Sequence, residues 1–96
     1  MAFVGAWARI DLTRAAAVAR DLAGFPGVET FDLEVPGKLG LLIEADDLES
    51  AHHMLTVNLT GCEGVLGIWP VYVHDEEADD PARQAKQAVS GAVEQD

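Results

Sequence analysis

Residues 28–47, VETFDLEVPGKLGLLIEADD, hold two apolar runs on either side of Pro36-Gly37-Lys38. Val28 to Val35 alternates apolar with polar side chains, the period of a strand with one buried face, and Leu39 to Ala45 is the second run. The residues between them supply turn chemistry, so the two runs are expected to form a hairpin. In Asp46-Asp47-Leu48-Glu49, a capping Asp with a Glu three residues on marks a helix start. Leu48, Ala51, Leu55 and Leu59 then carry a buried helical stripe as far as Gly61.

The same two periods flank this stretch. Phe3 to Ile10 reads as a strand, and Thr13 to Ala23 as an amphipathic helix with Ala15, Val18, Ala19 and Leu22 on its apolar side and Gly24 as its stop. A last strand is expected from Val65 to Val73. The order is βαββαβ, an α+β chain of the ferredoxin-like pattern. Right-handed crossovers turn that order into a four-stranded antiparallel sheet, 4-1-3-2, with two helices on one face. Pro70 fits this topology: proline lacks the N–H that a central strand needs, and the fourth strand is an edge.

Ninety-six residues allow one small domain. Seventeen acids against six Lys and Arg give a net charge of −11, which disfavours nucleic-acid binding and favours a cationic partner. Residues 1–74 hold ten acids and four bases; residues 75–96 hold seven and two. The first segment is the expected domain. The second, with only Val89 and Val93 as larger apolar residues, is expected to be an acidic, disordered tail, transiently helical across Ala82–Val89. No secretory leader is evident, and no apolar run approaches the roughly 20 residues that span a bilayer, so the expected location is the cytoplasm, without membrane insertion.

A two-layer fold covers only one face of its sheet. With Val4, Ala6, Ala8, Ile10 and Leu39, Leu41, Ile43, Ala45 directed at the helices, the other face carries Phe3, Gly5, Trp7, Arg9, Gly40, Leu42 and Glu44. Counting along the second strand adds Glu29, Phe31 and Leu33, although Asp32 then falls on the inner side. The fourth strand has no fixed register, because a bulge at Pro70 would reverse its alternation. Such a face, apolar with an acidic border, marks an interaction surface, and pattern alone weighs a homodimer interface equally with peptide binding.

Catalytic and metal motifs are absent. His52 and His53 diverge by about 100° on a helix, no HxxxH or CxxC occurs for a Zn site, and Cys62 sits at a helix C-terminus, where a thiolate is disfavoured. The lone cysteine also points to a reducing compartment. Asp11-Leu12-Thr13-Arg14 lacks the glycine-rich cradle of an acylphosphatase-like phosphate loop, and a copper chaperone of this topology needs a CxxC there. No enzymatic activity, cofactor or metal is expected.

Specific residues go further than the pattern. Phe25-Pro26-Gly27-Val28-Glu29, then Gly37-Lys38-Leu39 leading into Leu42-Ile43-Glu44-Ala45-Asp46-Asp47, then Glu63-Gly64-Val65-Leu66 followed by Val71-Tyr72 and His74, resemble the NapD family in order and spacing over about residues 3–77. The resemblance implies a ferredoxin-like fold and a cytoplasmic chaperone. Its expected partner is the twin-arginine signal peptide of the precursor of the periplasmic nitrate reductase catalytic subunit, with export held back until cofactor insertion is complete. Trp69-Pro70 departs from the family, which favours Ser-Leu before the Val-Tyr. As a helix, such a peptide would lay its apolar side on Trp7 and Leu42 and direct its arginines at Glu29 or Glu44, leaving Arg9 away from that end or paired with Glu44. The alternative is a homodimeric ferredoxin-like module that senses a small ligand, as ACT-like domains do.

Overall fold

The computed structural model describes residues 2–74 and 81–94. Four strands, β1 (Ala2–Ile10), β2 (Val28–Asp32), β3 (Lys38–Ala45) and β4 (Val65–His74), form one antiparallel sheet in the order β2-β3-β1-β4, which is 4-1-3-2 read from the other edge. Helix α1 (Ala15–Ala23) follows a short 3₁₀ turn, Leu12–Arg14, and α2 (Leu48–His53) continues as a π-helical segment, Met54–Leu59. Their apolar stripes meet the inner face of the sheet. Val18 and Leu22 of α1, with Ala51, Leu55 and Leu59 of the second helix, pack against Val4, Ala6, Ala8, Ile10, Leu39, Leu41 and Ile43 in one core. The small Ala6 and Ala8 let the helices approach the central strand closely, as the sequence reading expects.

Local chemistry moves some boundaries. The strand expected to reach Val35 stops at Asp32, because the Asp32 carboxylate accepts a hydrogen bond from the Glu34 N–H at 2.8 Å and Glu34 adopts φ 60°, turning the chain. Asp32 therefore ends the strand at an exposed position, and its acidity no longer conflicts with an inner register. The cap of α2 is Asp47, not Asp46: its carboxylate accepts from the Ser50 N–H at 2.7 Å. Gly24 ends α1 with ordinary helical dihedrals, φ −75°, and the left-handed turn falls on Gly27, φ +77°. There the Gly27 carbonyl accepts from the Glu44 N–H at 2.8 Å, and a Cβ would sit 2.2 Å from the Glu44 carbonyl oxygen.

The largest departure lies at the C-terminus. In place of a disordered tail the chain forms a third helix, α3 (Pro81–Glu94), which packs on the sheet face opposite to α1 and α2. Ala85 and Val89 are fully buried there. Large apolar residues are not needed because the floor is a glycine: a Cβ on Gly5 would lie 2.9 Å from the Ala85 Cβ and 3.2 Å from Val89 Cγ2. Residues 75–80 and 95–96 of the expected tail lie outside the described residues.

Candidate functional site

Register arranges the outer face in rows that cross the sheet. Glu44, Phe3 and His74 stand opposite one another at one end; then come Glu29, Leu42, Gly5 and Tyr72; then Phe31, Gly40, Trp7 and Trp69; and Arg9 faces Lys38 and Gly67 at the far end. By register, Phe3, Gly5, Trp7, Arg9, Glu29, Phe31, Gly40, Leu42 and Glu44 share this face of the sheet. Leu33, counted with them, lies beyond the end of β2. Arg9 and Glu44 each lie near the C-terminal end of antiparallel strands and so at opposite ends of the sheet, and the expected alternative of an Arg9–Glu44 pair does not form. The face runs from an acidic end, through an aromatic row, to a cationic end.

The aromatic row is layered. Trp7 and Trp69 stack at 4.5 Å between ring centroids with 20° between planes, and the Lys38 ammonium lies 4.8 Å from the Trp7 ring centroid. Phe31 lies across Gly40, where a Cβ would meet its ring at 2.3 Å, and Trp69 covers Gly67 in the same way. Trp69 and Tyr72 are the site residues that sequence reasoning could not place. The pairing shifts between Gly5/Ala6 and again between Arg9/Ile10, so alternation along β4 gives no register by itself. Beyond Trp7, at the cationic end, an open depression of about 670 Å³ is bordered by Arg9, Lys38, Leu12 and Leu66.

The middle rows are not open, contrary to expectation. Helix α3 lies over them, with Gln84 accepting from the Tyr72 hydroxyl at 2.9 Å toward β4, and Lys86 meeting the Glu29 carboxylate at 2.7 Å toward β2. Leu42, expected to be exposed, is 6% accessible as a result. The signal for this in the sequence is the spacing of Ala85, Ala88, Val89 and Ala92, a helical stripe of small residues that composition alone discounts.

Other chemistry-bearing residues do not converge. Among the described residues no group of three His, Cys, Asp or Glu side chains is placed to hold a metal ion, and His52 and His53 are exposed. Partial burial pushes the Cys62 thiol up from its ordinary value, with the nearby Asp21 charge adding to the effect, so the thiol is no activated nucleophile. Among the described residues no helix is long and apolar enough to cross a membrane.

No protein-family model matches the chain, and no curated protein matches it. Among solved structures, the solution structure of the E. coli Tat proofreading chaperone protein NapD superimposes with a TM-score of 0.65 at 26% identity, covering 81% of this chain and 82% of that one. That extent of shared fold agrees with the residue pattern noted in the sequence. The fold thus supports the resemblance to the NapD family.

Proposed function

We propose that this protein is a chaperone for a twin-arginine signal peptide, that of the periplasmic nitrate reductase catalytic subunit precursor, and that it acts in the cytoplasm to hold back export until cofactor insertion is complete. The reading is supported by the likeness to a Tat proofreading chaperone. The observation that carries it is on the outer face, which accommodates an amphipathic helix and pairs a helix-borne cation with Glu29. A signal peptide of this class has a cationic start followed by an apolar stretch. Glu29 and Glu44 form the acidic end suited to its arginines, while Phe3, Phe31, Leu42 and Trp7 offer apolar surface around the shallow floor at Gly5. Arg9 and Lys38 repel the arginines from the opposite end and so orient the peptide along the face.

The test is calorimetric titration with a twin-arginine peptide. Binding that weakens when both arginines are replaced by lysine is the expected result, because the planar guanidinium fork suits a carboxylate better than an ammonium does. Absence of binding, or indifference to that replacement, would overturn the assignment.

A further inference from the structure

We infer that α3 is a built-in competitor for the peptide site, an intramolecular helix that must leave the sheet before a signal peptide can seat. The inference rests on the signal-peptide reading and adds to it a form of self-regulation. Three observations carry it. Helix α3 lies over Gly5 and Leu42, the middle of the proposed peptide surface. Its Lys86 already engages Glu29, one of the two acids suited to the peptide's arginines. And the side chains it buries are small: among the described residues of α3, those at 0% accessibility are Ala85 and Val89.

The energetics favour exchange. A helix of this length is marginal without tertiary contacts, and Gly91 lowers its helix propensity at a position where an added Cβ would meet no atom within 4 Å, so packing does not require a glycine there. Lys86 and Glu29 have side chains 40% and 56% exposed, so their attraction is screened. A signal-peptide helix with larger apolar residues would bury more surface on the same sheet, and two arginines would replace one lysine at the acidic end. The closed helix then reduces apparent peptide affinity by the fraction of time that the face is free. The factor is the same for every peptide, so it keeps weak peptides from occupying the face at low concentration without altering the ratio of affinities.

The experiment uses the full chain and two neutral variants that unseat α3 from opposite causes. Ala85→Gln places bulk against Gly5, and Val89→Ser removes buried apolar surface. Both are expected to lower hydrogen-exchange protection of amides 85–92 while leaving β1 and β3 amides protected, and to tighten binding of a twin-arginine peptide by about tenfold. In the wild type, adding the peptide is expected to deprotect the same α3 amides. Wild-type affinity in variants whose α3 has lost protection, α3 amides that stay protected in the peptide complex, or α3 amides unprotected in the free wild type would each overturn the competitor role and leave the chaperone reading standing. No binding by wild type or either variant would overturn the chaperone reading itself, and the competitor role with it.

Discussion

Lys86 and Glu29 meet at 2.7 Å across the boundary between α3 and the sheet, and the same ammonium lies 5.7 Å from the centroid of the Phe31 ring. Both side chains keep about half their surface in water, so the contact fixes where the helix lies more than it stabilises the fold. Lys86→Ala is expected to cost no more than about 1 kcal/mol in urea unfolding, with most of the coupling to Glu29→Gln lost at high salt. A coupling that survived high salt would show that the pair is far drier than the geometry indicates.

The stacked Trp7–Trp69 pair spans β1 and β4 and should act as one chromophore. Either Trp7→Phe or Trp69→Phe is expected to abolish the same coupled-indole band in circular dichroism. A double-mutant cycle should give about 0.5–1.5 kcal/mol of mutual stabilisation. Retention of the band in one single variant would contradict the stacking.

Gly27 and Gly24 flank the same loop but differ in what a methyl group would meet. Gly27→Ala combines φ +77° with a Cβ position 2.2 Å from a backbone oxygen, and is expected to destabilise by roughly 2–4 kcal/mol. At Gly24 the backbone is helical and the nearest atom, the Asp21 carbonyl oxygen, is 3.3 Å away, so Gly24→Ala should lie within about 1 kcal/mol of wild type. Denaturation midpoints of the two variants make the comparison directly.

Two helix starts give the domain an acid limb. The Ser50 N–H holds the Asp47 carboxyl below its usual range, and the Thr13 hydroxyl and N–H do the same for Asp11. Each contribution is complete above the unfolded-state value of about 3.9 and is lost as pH falls through the lower folded-state value. Asp47→Ala should therefore lower Tm at neutral pH, and the gap to wild type should narrow steadily below about pH 4. A gap that widened in acid would show that the carboxylate is not stabilised by the cap.

Most of the fold was legible because alternation and helical spacing report directly on which side of an element is buried. Val4, Ala6, Ala8 and Ile10 declared the inner face of β1, and Ala51, Leu55 and Leu59 that of the second helix. The early end of β2 was hidden because it depends on an Asp32 side chain competing for backbone donors, which a hydropathy pattern does not record. The register of β4 was hidden because two irregularities break its alternation. Helix α3 escaped for a subtler reason. Apolar bulk is the usual sign of a packed helix, but opposite a glycine the complementary residue is an alanine, so Ala85 looked like surface when it was core.

The pairing irregularity beside Pro70 has a further consequence for behaviour in a crowded cell. β4 is a ten-residue edge strand carrying the exposed side chains of Leu66, Trp69, Val71 and Val73, a combination that would otherwise invite copies of the chain to zip together edge to edge. The missing N–H of Pro70 and the local bend between the Gly5 and Ala6 pairings break that edge into two short lengths. Exposed apolar residues can then remain on the strand without making it a template for aggregation.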